Sequence, residues 1–246
     1  MRGLILAAGK GTFAPDNLPP VMTPLAGRTL LERQIAALRA GGVTEIGVVR
    51  GYLAAAVKAA DVTWFDHPRW AETGDVAQLC AAAEWLRSGT VVVCDADVFF
   101  RHEFVHAIGT VRGTLVVGFD RKWRELWTRR FRDLTGQVAA FRRGPAGNLL
   151  DIGGLAEDAE GIQGQPNGVL KFTPTAWQAV EAFLGTLEAR VRDHLDIGSL
   201  LHWLLDARSI AIGTVGTNGE CGRVASTADV ALYEQMAAAG ELALEG

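Results

Sequence analysis

Near its start the chain carries an unbroken apolar run, Leu4-Ile5-Leu6-Ala7, that passes directly into Ala8-Gly9-Lys10-Gly11-Thr12. A short continuous run stopped by glycine reads as a fully buried strand rather than a surface element. The loop after it is glycine-rich, so backbone N–H groups can approach phosphate oxygens with no Cβ in the way. Two further runs, Glu45–Arg50 (EIGVVR) and Thr90–Cys94 (TVVVC), are separated from it and from each other by helical patterns. That alternation predicts βαβ units and a parallel sheet, an α/β fold.

Pro15, Pro19 and Pro20 keep the loop Ala8–Pro20 from continuing as a helix. Thr29 with Glu32 is a capping box, opening a helix through Arg39 that Gly41-Gly42 ends. Tyr52–Ala60 is expected as an Ala-rich helix, Val62–Phe65 as a strand, and Asp75 as the cap of a helix to about Arg87. The second half is less regular. Thr114–Phe119 is a strand, and Gln137–Phe141 and Leu149–Ile152 flank a Gly-Pro-rich turn as a hairpin. Val169–Thr173 is a strand, and Thr173-Pro174 then caps and starts a helix. Asp196 caps another helix. Ser209–Val215 is expected as the last strand and Thr227–Ala239 as the last helix. No repeat or linker-like break appears, so residues 1–246 read as one domain, with a nucleotide-binding half to about 118 and an acceptor-binding half beyond.

Composition narrows the partners. The 246 residues are 49% hydrophobic, enough for a sizeable core. With 24 basic and 28 acidic residues the net charge is −4, which offers no sequence-wide basic surface for nucleic acid. The basic run Arg121–Arg132 is interleaved with Glu125 and reads as a solvated face. Three scattered cysteines form neither a disulfide framework nor a zinc pattern. The first apolar run is short for a signal peptide, and no membrane-length segment follows. A cytoplasmic protein without membrane or nucleic-acid partners is the expectation.

Asp95-Ala96-Asp97 follows the TVVVC strand directly. Residues two apart in extended chain face the same side, so both carboxylates can meet one hard cation. The carboxyl ends of parallel strands are where open α/β sheets bind ligands. Nucleotidyl and glycosyl transferases both use such a site. Two competing motifs are weaker. Gly9–Ala14 matches the dinucleotide pattern G-x-G-x-x-A, but the prolines forbid the helix that pattern needs. His102–His106 is a literal H-E-x-x-H, the zinc-protease pattern, with Glu125 as a conceivable third ligand. Gly109 is expected to cut that helix short, which leaves a surface helix with incidental histidines. Trp123 and Trp127, one helical turn apart, are candidates to wall a small substrate.

These stretches resemble a known family. LILAAGKGT, LAGRTLLERQIAALRAGGVTEIGVVRGYL, VVVCDAD, GIQGQPNGVLKFTPTAW, LDIGSLLHWLL and VASTADVALYE look like the small-molecule nucleotidyltransferases that activate phosphocholine, phosphonates and related compounds, often with CTP. The resemblance spans essentially the whole chain. It implies a Rossmann-like fold with a mixed, mainly parallel central sheet flanked by helices. It implies nucleotide contacts from Leu6, Ala7, Ala8, Gly9, Lys10, Gly11 and Thr12. Magnesium would sit at Asp97 with Asp95, aided by a carboxylate near the C-terminus. Lys10 and Lys171 would act in catalysis, and Trp123, Trp127, Gln165 and Lys171 would hold the acceptor. A homodimer is a family-level expectation, while association with an active paralogue goes with a homologue that has lost transfer.

Four positions depart from the family pattern. Phe13 stands where the loop arginine is expected, and Pro20 where a Pro-Lys pair supplies its lysine. The C-terminal metal-ligand aspartate has become Ala225, and its neighbouring glutamate Arg223. Phosphoryl-type transfer is catalysed mostly by positioning and charge neutralisation. Each such contact removed typically costs on the order of 3–4 kcal/mol of transition-state stabilisation. The cations that remain as substitutes are Lys10, Arg28, Lys171 and Arg223. Two functions follow: a cytidylyltransferase-like enzyme that releases pyrophosphate, or a homologue that has lost transfer and binds ligands as a regulatory partner.

Overall fold

Leu4, Ile5, Leu6 and Ala7 are buried in the central strand of a seven-stranded sheet. The computed structural model describes residues 1–13, 18–134, 136–156 and 158–244. Ala14 and Pro15, used in the loop readings above, lie outside the described residues. The first half runs β1 (Arg2–Ala7), β2 (Pro24–Leu25), β3 (Arg28–Thr29), α1 (Leu30–Ala40), β4 (Glu45–Arg50), β5 (Thr63–Asp66), α2 (Asp75–Ala81), α3 (Ala83–Ser88), β6 (Val91–Asp95), β7 (Val98–Phe99), α4 (His102–Thr110) and β8 (Leu115–Asp120). The second half adds α5 (Trp123–Arg130), β9 (Ala139–Arg143), β10 (Leu149–Leu155), β11 (Gln165–Phe172), α6 (Pro174–Leu184), α7 (Ala189–Asp193), α8 (Ile197–Asp206), β12 (Ile212–Thr217), β13 (Gly222–Arg223) and α9 (Thr227–Ala238).

The sheet order is β12-β8-β11-β6-β1-β4-β5. Its pairs are parallel except those of β11, which runs antiparallel to both β6 and β8. Side chains alternate across the sheet as strand geometry demands. Leu4, Leu6, Val91 and Val93 pack against α2, α6 and α8 on one face. Ile5, Ala7, Val48 and Val92 pack against α1 and α4 on the other. The result is a mixed, mainly parallel sheet covered by helices on both faces. No helix among the described residues is long and apolar enough to cross a membrane.

Local signals placed several elements closely. Thr29 and Glu32 form the full capping box of α1, and Gly41 ends it. Thr173 and Asp196 cap α6 and α8. β9 and β10 form the expected antiparallel hairpin.

Four expectations are corrected. Tyr52–Ala60 holds a single 3-10 turn, Ala54–Ala56, after Leu53 turns left-handed at φ 45°. Its alanines are not buried, so no apolar face stabilises a helix there, and short isolated helices are marginal. Asp75 is the first helical residue after Gly74 rather than a cap, and the helix breaks at Ala82 into α2 and α3. α4 continues through Gly109 to Thr110; a Cβ on Gly109 would lie 2.7 Å from the Met1 side chain, so glycine there makes room for packing. The strand expected at Ser209–Val215 is β12, Ile212–Thr217, and β13 still follows it.

Candidate functional site

In the parallel register of β1 and β6, Leu6 lies opposite Asp95. The glycine loop and the Asp95–Asp97 turn therefore leave the same edge of the sheet side by side. Between them opens a cavity of about 340 Å³, lined by Leu6, Gly9, Gly11, Thr12, Asp95 and Asp97. Phe13, Pro20, Arg223 and Ala225 line it too, so all four family departures meet in one place. A second lobe of about 290 Å³ shares Asp75, Asp95 and Arg223 with the first. Its walls include Val117, Ile152, Leu170 and Leu201, with Asp196 at α8. Both volumes are on the scale of small-molecule sites.

Three devices hold the carboxylates. Gln34, fully buried on α1, donates its amide to the carbonyls of Asp95 (2.8 Å) and Val98 (2.6 Å), fixing the turn between β6 and β7. β13 pairs antiparallel with β7, setting Arg223 opposite Val98, and Val224 N donates to the Asp97 carbonyl at 2.8 Å. That short ladder delivers the Arg223 side chain to the turn. Its Nη1 donates to Asp97 Oδ1 and its Nη2 to Asp95 Oδ2, each at 2.5 Å. One guanidinium thus forks across both carboxylates.

Space for the fork comes from β11. The ladder between β11 and β8 is irregular between Pro166 and Leu170, and Gly168 within it has φ +78°. A Cβ there would sit 2.9 Å from both Arg223 Nη2 and Asp95 Oδ2, so only glycine suits both the backbone and the contact. Burial pushes the Asp95 carboxyl up to about 6, with Arg223 pulling it down and Asp97 pushing it up. For Arg223, burial alone would lower the pKa; Asp97 and Asp95 outweigh it and raise the group above its ordinary value. Asp75 is raised by burial and by Asp196.

The donor set does not fit the implied magnesium ion. Asp95 and Asp97 each commit an oxygen to a guanidinium, and Ala225 has no side-chain donor. Among the described residues no group of three His, Cys, Asp or Glu side chains is placed to hold a metal ion.

The other sequence candidates divide clearly. Leu6, Gly9, Gly11 and Thr12 line the cavity. Ala7 and Ala8 are buried beneath it, and the Ala8 N–H is taken by Gln78 Oε1 at 3.0 Å. Lys10 turns outward, with Nζ 5.9 Å over the Tyr52 ring. Lys171 is buried and donates to the carbonyl of Val111. Its register beside Val92 and Val116 puts it on the α1/α4 face, away from both lobes. Gln165 is a clamp: it accepts from Ala139 N (3.0 Å) and donates to Ala139 O (2.8 Å), fixing β9 to β11. Trp123 is buried edge-on against Trp127, and neither lines the cleft. Arg28 is exposed at the start of α1. His102 and His106 lie a turn apart on α4, whose buried face is Phe104, Val105 and Ile108.

Sequence reasoning missed Gln34, Gln78, Asp75 and Gly168. The signal for the first two was a glutamine set among apolar residues of an amphipathic helix.

Residues 3–190 match the model of the MobA-like NTP transferase domain. The CTP:phosphoglutamine cytidylyltransferase of Campylobacter jejuni is 24% identical over 201 residues, covering 76% of this chain and 79% of that protein. A putative glucose-1-phosphate thymidylyltransferase from Bacillus anthracis superposes with a TM-score of 0.75 at 14% identity, over 96% of this chain and 95% of that one. The inositol-1-phosphate CTP transferase of T. maritima does so with a TM-score of 0.71 at 13% identity, over 96% and 94%. These neighbours share the Rossmann-like mixed sheet. The family model spans most of the chain, and the chain belongs to the family of MobA-like NTP transferase domains.

Proposed function

We propose that this protein is a non-transferring member of its family, holding a small molecule in the cleft and acting as a binding or regulatory partner. The observation that carries this reading is the Arg223 fork across Asp95 and Asp97. In the transfer chemistry that the relatives suggest, an acceptor phosphate or phosphonate oxygen attacks the α-phosphorus of CTP. The bond to the β-phosphate oxygen breaks and pyrophosphate leaves. Charge builds on the α-phosphoryl and leaving oxygens, and catalysis consists of positioning and neutralising it. Here the one cation lining the cavity among the described residues is Arg223, and two carboxylates already claim it. In the glycine loop Gly11 is left-handed at φ 62°, but Phe13 and Pro20 bring no charge to it.

The test is pyrophosphate release. The protein is incubated with magnesium, each of the four nucleoside triphosphates, and a panel of phosphocholine, phosphoglutamine, phosphonates and sugar phosphates. No release above the blank is expected. Turnover that disappears in Asp97→Ala would overturn the reading in favour of a cytidylyltransferase-like enzyme.

A further inference from the structure

Arg223 stands where the two lobes of the cleft meet and lines both. Its surroundings are acidic: Asp75, Asp95 and Asp97 face the first lobe, and Asp75, Asp95 and Asp196 the second. We propose that the Arg223 guanidinium replaces a divalent cation, making the cleft a metal-free site for an uncharged, hydroxyl-bearing ligand of nucleoside type and closing it to polyphosphates. This deepens, and rests on, the non-transferring reading.

Three observations carry it. First, the fork is built rather than incidental. The β7–β13 pair sets the register, the Asp97 carbonyl accepts from Val224 N, and Gly168 leaves the space that Nη2 occupies. A hard dication needs several oxygen ligands, and here it would have to displace a like charge held by two ion pairs at 2.5 Å.

Second, the charge count disfavours a triphosphate. Three carboxylates face the first lobe against one guanidinium, and Lys10, the nearest loop cation in sequence, points at Tyr52 instead. Added phosphates bring like charge to that wall, with no counter-ion to accompany them.

Third, the groups left over suit neutral hydroxyls. A guanidinium has five N–H donors, and Arg223 uses two of them on Asp95 and Asp97. The second oxygens of Asp95 and Asp97 remain as acceptors. Sugar hydroxyls both donate and accept, so a ribose-like diol satisfies carboxylate and guanidinium together, whereas a phosphate satisfies only the latter.

The experiment has two arms on the intact protein. Mn²⁺ titration followed by electron paramagnetic resonance is expected to show no bound ion at millimolar concentration. Calorimetry with cytidine, uridine, adenosine and guanosine, and with their mono- and triphosphates, is run in EDTA and again in Mg²⁺. At least one nucleoside is expected to bind, its triphosphate about tenfold or more weaker, and Mg²⁺ to change neither by more than about twofold. Stoichiometric Mn²⁺ binding, a triphosphate tighter than its nucleoside, or no nucleoside binding would each overturn the proposal. The double variant Arg223→Gln/Ala225→Asp, checked for native circular dichroism, is expected to gain Mn²⁺ binding; a folded variant that gains none also counts against it. Should the variant fail to fold, the two wild-type arms still decide. Pyrophosphate release would sink the non-transferring reading, whereas Mn²⁺ uptake without release would sink this inference alone.

Discussion

Arg223 and Asp120 show how much a single side chain carries here. Replacing Arg223 with Met would leave Asp95 and Asp97 side by side without their counter-ion. Arg223 is 38% exposed and each aspartate 27%, so the cost is on the order of 1–2 kcal/mol, between that of a surface pair and a buried one. In a chain of this size that is a fall of roughly 4 °C in Tm, to be read by circular dichroism. Asp120 has the opposite sign. Burial pushes its carboxyl up to about 6, although Lys122 N and Gly219 N both donate to it. The native state therefore holds that proton more tightly than the unfolded chain does between about pH 4 and 6. Stability falls as pH rises through that window, and the full penalty is present above it. Asp120→Asn keeps the acceptor oxygen and removes the charge. The variant is expected to be more stable than wild type at pH 7.5 by on the order of 2 kcal/mol, with the difference vanishing at pH 4 in urea melts. Neither effect was legible in the sequence, where Asp120 closes a strand and Arg223 is only a substituted glutamate.

At the scale of elements, the segment that delivers Arg223 is held from behind. Ser226 caps α9 by accepting from Asp229 N, and Asp229 Oδ2 accepts in turn from Ala225 N at 2.9 Å. Arg130 on α5 forks onto the same carboxylate at 2.7 and 3.0 Å, and both side chains are nearly inaccessible. Tyr233 on α9 donates its hydroxyl to the Arg223 carbonyl. Arg130→Met should cost about 3–5 kcal/mol by stranding Asp229. Amide exchange at Val224 and Ala225 should accelerate more than that of β1, a contrast that mass spectrometry can read. Local rules explain which elements were legible. The capping box of α1 and the caps of α6 and α8 depend on residues within four positions, and they appear where the spacing put them. The Ala-rich stretch at Tyr52–Ala60 had good intrinsic propensity and no buried face, and packing decides such cases. Trp123 and Trp127 had the spacing of a wall, but α5 turns them toward each other and Arg130 rather than the cleft.

For the molecule as a whole, the sheet interleaves the two halves of the chain. β8 ends the first half, yet it lies between β11 and β12 of the second, while β11 also pairs with β6. A fragment of residues 1–118 would expose β6 along the edge that β11 covers and would cut β8 short. It is expected to show no cooperative thermal transition, whereas the full chain melts in one. Residue order alone already carries the alternation of strands and helices, the strand that opens into a glycine loop, the Asp95–Asp97 pair, the family, and the four departures from it. Each of these is a matter of short-range spacing or of motif. It took the folded chain to bring the departures at 13, 20, 223 and 225 around one cavity, and to set a guanidinium across two carboxylates more than 120 positions away. The fold also decided that Lys171 and Gln165 serve the framework instead of the cleft. The physical reason is register. Whether a strand residue faces the cleft or the opposite layer turns on a single step of pairing, and that step is set by the antiparallel insertion of β11 and the two-residue pairing of β13 with β7.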